Sequence, residues 1–205
     1  MDERLFFPAT ERNKDYIGDV LAQLLPKKGS ILEIASGSGQ HGVTFQKRFS
    51  SLTWHTSDPN PEYRKSINAW INHEGLSTKM PGPINLDVAK PPWPLNKKTL
   101  YSLKAIVCIN MIHIAPLKCA IALFQEAKEV LGSDSLLILY GPFKRNGKHT
   151  SSSNELFDQS LQVQNPSWGV RDLEEISELG EINRFKKYKV FEMPANNLLV
   201  TFQHE

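Results

Sequence analysis

The chain has 205 residues, 40% hydrophobic and 22% charged, with a formal net charge of +2. That length suits one large domain with a single core, expected over residues 1–205, and so small a charge points away from a nucleic-acid surface. The two cysteines, Cys108 and Cys119, have neither metal-ligand spacing nor the density of a disulfide scaffold, so no metal site is expected and Cys108, in an apolar run, reads as a buried reduced thiol.

The opening stretch MDERLFFPATERNKD lacks the apolar run of a signal peptide. The best apolar runs, Ile106 to Ile114 and Leu136 to Tyr140, are too short to span a bilayer. A cytoplasmic location and no membrane partner are therefore expected.

Asp15 to Leu25 carries Ile17, Val20, Leu21, Leu24 and Leu25 at helical spacing, and Pro26 and Gly29 stop that helix. Ser30 to Ala35 reads as a first strand, Gly37 to Gly39 as the turn after it, and Gln40 to Phe49 as a helix. Leu52 to Ser57 is a second strand, followed by a helix from Pro61 with Ile67, Trp70 and Ile71 as its packing face. Pro83 to Val88 reads as a third strand and the proline-rich PPWP as a loop.

Leu103 to Ile109 is apolar nearly throughout, as expected of a strand covered on both faces. A helix over Ala115 to Leu131, a strand over Ser135 to Tyr140, a loop GPFKRNGKHTSSS and a helix over Asn154 to Val163 follow. A short helix from Leu173 to Leu179, ended by Gly180, precedes strands around Arg184 to Glu192 and Leu198 to Gln203, joined by MPANN. Alternation of strand and helix predicts an α/β doubly wound, Rossmann-like sheet. It is mostly parallel, with seven strands and a C-terminal antiparallel hairpin strand.

The stretch LEIASGSGQHG, residues 32 to 42, fits two cofactor patterns. From Gly37 it reads G-S-G-Q-H-G, the dinucleotide fingerprint. From Glu33 it reads E-x-A-x-G-x-G, which is similar to the first motif of S-adenosylmethionine-dependent methyltransferases. Gly37 and Gly39 serve either pattern, since both need the backbone close to a ligand. Asp58 serves either as well, because an acid at the end of the second strand can accept ribose hydroxyls.

Glu33 separates the two readings. A carboxylate inside a buried strand needs a partner. The methyl donor brings an α-ammonium group, whereas a dinucleotide brings a pyrophosphate that the acid would repel. A lysine or backbone amides could fill the same need. Asp87, in NLDV at the end of the third predicted strand, adds to the methyl-donor reading, against the plainer reading of a solvated loop acid.

The chain as a whole resembles a small family of single-domain methyltransferase-like proteins with the class I S-adenosylmethionine-dependent fold. The resemblance runs through ERNKD, LEIASGSGQH, SDPN, CINMIHIAPL, YGPFKRNGK, NPSWGVRD and MPANN. It implies S-adenosyl-L-methionine as cofactor, with Glu33 near the ammonium group and Gly37 and Gly39 under the adenosyl moiety, His41 lying on the helix turn that follows. Asp58 would sit on the ribose, Asp87 and Val88 at the adenine, and Asn110 on the methionine side. Arg12 and Asn13 would fold over the cofactor carboxylate, unless they form a solvated N-terminal cluster. One departure is Ala35, which stands where the usual pattern has its first glycine.

Methyl transfer from a sulfonium is an in-line displacement that gains most from alignment in a dry pocket. Tyr140 and Phe143 are placed to wall such a pocket, although core packing is the commoner role for aromatics. If the acceptor must lose a proton, His113 is the first candidate base and His41 the second. Lys144, Arg145 and Lys148 form a basic loop that could attract an acidic molecule, so a small-molecule substrate is favoured over a polymer; a protein side chain remains an option. Arg184, Lys186, Lys187 and Lys189 read as a solvated strand edge. Two other readings stand beside methyl transfer: a catalytically silent binding protein of the same fold, and an NAD(P)-dependent oxidoreductase.

Overall fold

The computed structural model describes residues 2–205. They fall into two compact units divided after residue 107. In the first unit, α1 (Pro8–Leu24) buries Ile17, Val20 and Leu21. It begins two turns before the apolar spacing predicts. Pro8 fits the first helical position, where a missing N–H costs nothing, and the polar run after it carries no apolar stripe to announce a helix.

β1 (Gly29–Ile34) and β2 (Leu52–Thr56) pair in parallel, from Gly29 opposite Leu52 to Glu33 opposite Thr56. α2 (Gln40–Arg48) joins them, and α3 (Pro61–His73) follows, capped by the Asn60 side chain accepting from the Glu62 N–H. α4 (Lys97–Ser102), capped in the same way by Asn96, leads into β3 (Leu103–Ile109). The strand order in this unit is β2-β1-β3. The expected strand at Pro83 to Val88 shrinks to one parallel bridge, Ser57 with Ile84. Ile84 exchanges backbone bonds with Thr56 and Asp58, but Pro83 has no N–H with which to extend the ladder.

In the second unit α5 (Leu117–Val130) starts after Pro116, and β4 (Leu136–Gly141) follows. The stretch expected to be loop holds a hairpin, β5 (Phe143–Arg145) and β6 (Lys148–His149). Its turn residues Asn146 and Gly147 both have positive φ, 50° and 74°, as a type I′ turn requires. Next come α6 (Ser152–Gln164), β7 (Arg171–Asp172) and α7 (Leu173–Ile182). Gly180 does not end α7 but lies within it, where a Cβ would stand 3.0 Å from the Phe202 ring.

β8 (Phe185–Met193) and β9 (Asn197–His204) close the chain. Here the order is β4-β9-β8 with both pairs antiparallel, and a small sheet β6-β5-β7 stands beside it. The fold class is thus α/β and Rossmann-like, with a C-terminal antiparallel strand. Leaving out the small sheet, β1, β2, β3, β4, β8 and β9 with the Ile84 bridge give seven strand positions among the described residues. Cys108 is 1% exposed, in agreement with a buried thiol. Among the described residues no helix is long and apolar enough to cross a membrane, and no group of three potential metal ligands occurs.

Candidate functional site

The turn after β1 is held open by backbone geometry. Ala35, Gly37 and Gly39 have φ of 54°, 54° and 90°. Ala35 thus takes the left-handed conformation that glycine adopts freely, at a cost of about 1 kcal/mol. The Ser36 N–H donates to the Ser57 carbonyl at 2.8 Å, and the Ser57 hydroxyl donates to the Glu33 carbonyl at 2.8 Å, so the turn is stapled to the end of β2.

Asp58 stands at that end. Its Oδ2 accepts the Gly37 N–H at 3.0 Å and its Oδ1 the Asn60 N–H at 2.9 Å. Arg64 donates to the Asp58 backbone carbonyl at 2.8 Å. Burial raises the Asp58 pKa, against the opposing pull of the two amides and the Arg64 charge. A carboxylate has about four acceptor positions, so two amides leave it able to accept further donors. That capacity fits the hydroxyls of a ribose.

Glu33 is placed otherwise. It is 1% exposed, and the Trp54 indole N–H donates to its Oε2 at 2.7 Å. Burial pushes its pKa to about 8, with the Asp58 charge adding to the rise and Trp54 opposing it. The group is therefore mostly a neutral acid at pH 7. Its partner is neither a lysine nor a backbone amide but an indole. The carboxyl lies under the first turn of α2, 3.1 Å from where a Gly42 Cβ would stand. The hydroxyl of Thr56, opposite Glu33 in register, is buried without a hydrogen-bond partner among the described residues. The residues present thus fit the ribose end of the expected cofactor through Asp58 and Gly37, and do not supply a charged Glu33 for its ammonium end.

His41 and Asn13 meet within this unit, Nε2 to Oδ1, at 2.8 Å. The ring stacks on Phe45 with centroids 5.6 Å apart, and burial, with Lys14 adding, lowers its pKa to about 3. His41 is thus a neutral ring tying α1 to α2. Arg12 is exposed. Asp87 accepts the Ala89 N–H at 3.0 Å and pairs with Lys90 at 3.0 Å, while Val88 is 8% exposed.

A strap missed by the sequence reading crosses the turn. The Phe7 N–H donates to Gln40 Oε1 at 2.7 Å, the Leu5 N–H to Ser66 Oγ at 2.8 Å, and the Trp70 indole to the Leu5 carbonyl at 3.0 Å. The Phe7 ring edge fills the space a Cβ on Gly37 would need, at 3.0 Å. The sequence signal was the glutamine after the last turn glycine, a residue able to accept from the strap with one atom and donate to Glu11 with the other.

In the second unit Asn110 has φ of 57° and its N–H donates to the Tyr140 carbonyl at 2.9 Å. Tyr140 is 4% exposed and Phe143 fully buried. A Cβ on Gly141 would stand 3.1 Å from the His113 ring and 3.6 Å from Asn110 Oδ1. Glycine at the end of β4 is therefore what lets His113 lie there. His113 is 3% exposed, its Nδ1 is buried without a partner among the described residues, and burial together with the Arg171 charge lowers its pKa to about 4. Arg171 fixes the segment that carries it, donating to the carbonyls of Ile112 at 3.0 Å and Ala115 at 2.7 Å.

The basic loop is largely neutralised within the unit. Lys144 pairs with Asp158 at 2.9 Å, His149 with the same oxygen at 3.2 Å, and Arg145 with Glu192 at 2.6 Å. Asp158 and Arg171 were not singled out from sequence. Their roles depend on partners 14 residues away in one case and more than 50 in the other.

The backbone matches solved methyltransferases along nearly its whole length. The mitomycin 7-O-methyltransferase MmcR superposes with a TM-score of 0.76 at 14% identity, over 95% of this chain and 54% of that one. Human N-acetylserotonin methyltransferase in complex with S-adenosylmethionine gives 0.76 at 11%, over 96% and 52%. An O-methyltransferase family 2 protein from Planctomyces limnophilus in complex with apigenin gives 0.74 at 17%, over 99% and 64%. The chain spans between about half and two thirds of the length of these structures, and the likeness establishes the class I methyltransferase fold. The chain itself belongs to the family described as "Protein of unknown function (DUF938)", whose model matches residues 4–204.

Proposed function

We propose that this protein is an S-adenosyl-L-methionine-dependent methyltransferase acting on a small molecule or a protein side chain. The observation that carries the reading is Asp58, buried at the end of β2, joined to the Gly37 N–H and retaining acceptor capacity. The neighbours named as methyltransferases, one of them bound to S-adenosylmethionine, support it. When bound, the cofactor supplies a sulfonium methyl for in-line displacement. The residues proposed to hold it are Asp58 at the ribose, Gly37 and Gly39 in the turn, Asp87 and Val88 at the base, and Asn110. Ala35 shapes the turn, and Asn13 with His41 braces α2, whose first turn follows it. Glu33 acts as a neutral hydrogen-bonding group. His113, uncharged at pH 7, is proposed to take a proton at nitrogen where the acceptor has one to lose, and Tyr140 to exclude water.

Calorimetric titration with S-adenosylmethionine and its demethylated product tests this. Wild type binds both, and Asp58→Ala weakens binding by about tenfold to a hundredfold, the worth of a lost hydrogen bond or two to a charged acceptor. No binding of either by wild type overturns the reading. A silent binding protein is the second reading, favoured by the Trp54-bound, neutral Glu33 and by the low His113 pKa. It predicts cofactor binding without release of the demethylated product in any cell extract.

A further inference from the structure

Register partners in a parallel pair project to the same side. In β1 and β2, Ile31, Glu33, Trp54 and Thr56 therefore share one face, and Ser30, Leu32, Thr53 and His55 the other. A strand covered on both faces reads as apolar throughout, yet Ser30, Thr53 and His55 break that rule on one face. A cleft of about 650 Å³ opens over them, entirely within the first unit. Its apolar wall is Pro81, Ile84 and Pro94, and its edge carries Lys28, Lys98 and Ser51.

Two features point to a ligand. His55 is 9% exposed and lines the cleft, and its ring has no hydrogen-bond partner among the described residues. Burial lowers its pKa, so it presents a neutral ring with one donor and one acceptor nitrogen. Lys28 and Lys98 are exposed and without ion pairs among the described residues, and no carboxylate lines the cleft. Two cations of like sign around one concavity, with hydroxyls and an imidazole beneath them, favour an anion of two charges and several acceptor oxygens. A phosphate group has both. A polynucleotide would need a continuous strip of such cations, whereas the wall of prolines and isoleucine suits a compact organic moiety, and the volume lies in the range of small-molecule pockets.

We propose that this cleft is a binding site for a small phosphate monoester, its phosphate held by Lys28 and Lys98 and by the Thr53 hydroxyl and His55 imidazole of the polar strand face. The site is separate from the turn that carries the proposed methyl transfer and stands or falls independently of it.

The probe is ribose 5-phosphate, with ribose as neutral control at constant ionic strength, followed through the His55 imidazole resonances, assigned by their loss in His55→Asn. Ribose 5-phosphate should shift them saturably and raise the His55 pKa, because a dianion beside the ring favours its charged form. Ribose should not. Lys28→Ala/Lys98→Ala changes two exposed side chains and should weaken binding by about tenfold or more while leaving the melting temperature in place. Equal shifts with ribose, no saturable shift, undiminished binding by the double variant, or tighter binding of a short oligonucleotide would each overturn the proposal.

Discussion

The Trp54 indole N–H and the Glu33 carboxyl form a hydrogen bond of 2.7 Å with the acid 1% exposed, and burial keeps that acid protonated against the pull of the bond. The ordinary Glu33 pKa of 4.5 rises to about 8 in the folded chain. A raised pKa means the folded state binds a proton that the unfolded state has released. The stability this contributes is complete below about pH 4.5 and is lost as pH rises to about 8. Wild type should therefore lose on the order of a few kcal/mol between those limits. Glu33→Gln, neutral at every pH, should flatten that slope and exceed wild type in stability at pH 8. Urea denaturation of both proteins from pH 5 to 9 measures it; parallel curves would remove the buried proton from the account.

Removing the donor instead tests the bond itself. Trp54→Phe keeps the ring that packs on Phe45, 5.1 Å away, and deletes the N–H. The stranded acid oxygen should cost about 1–3 kcal/mol at pH 6. The Glu33 pKa should rise further, because Trp54 is the one influence holding it down. Chemical denaturation across pH reads both effects.

The turn offers a contrast between two positions that look alike in sequence. Ala35 takes φ of 54°, which costs an L-residue about 1 kcal/mol, while glycine loses roughly 0.5–1 kcal/mol through the freedom it gains unfolded. Ala35→Gly should therefore leave the melting temperature nearly unchanged or slightly raised. Gly39→Ala should cost at least about 2 kcal/mol, since its Cβ would sit 2.8 Å from the Ile67 Cα on α3, a backbone atom that cannot step aside. Thermal melts of the two variants rank the effects.

The fold was legible where local signals agreed. The apolar run of Leu103 to Ile109, the glycine turn after Ser30 to Ala35 and the alternation of strand with helix all gave the α/β class. Elements without an apolar stripe escaped. The first turns of α1 are polar, and α4 is too short for periodicity. The β5–β6 hairpin was passed over despite the Asn146-Gly147 pair that marks its turn. In the site, Asp58 could be placed from its position at a strand end. The partner of Glu33 could not, because spacing along one strand does not reveal which residue of the next lies beside it. Trp54 is 21 positions away, reached only through the β1–β2 register.

Arg171 acts on His113 in two ways that separate by measurement. Its guanidinium bridges the Ile112 and Ala115 carbonyls on either side of His113, and its charge helps hold the His113 pKa down at about 4. Arg171→Ala should lower stability by about 2–3 kcal/mol through the lost charged hydrogen bonds. It should also move the His113 pKa upward toward 6.5, though not fully, since burial is the larger cause. Arg171→Lys should preserve more of the pKa depression than of the stability, because an ammonium keeps the charge but cannot span both carbonyls. Imidazole NMR titration beside chemical denaturation distinguishes the two.

Asp158 gathers Lys144, His149 and the Val170 N–H around a carboxyl whose side chain is 4% exposed. Lys144, His149 and the Val170 amide hold its pKa below the ordinary carboxylate value against burial. With the folded pKa depressed, the stability it contributes is present above about 3.8 and is lost as pH falls through the lower folded value. Asp158→Ala strands two partly buried bases and should cost about 2–4 kcal/mol at pH 7, less than a fully buried pair because the Lys144 side chain is 25% exposed. Asp158→Asn keeps an acceptor for Val170 and should cost less. Both deficits should shrink as pH falls below about 3.8, where wild type begins to lose the same contribution. Guanidinium denaturation at pH 7 and pH 3 tests this, and a deficit that stays constant with pH would assign the role of Asp158 to packing instead of charge.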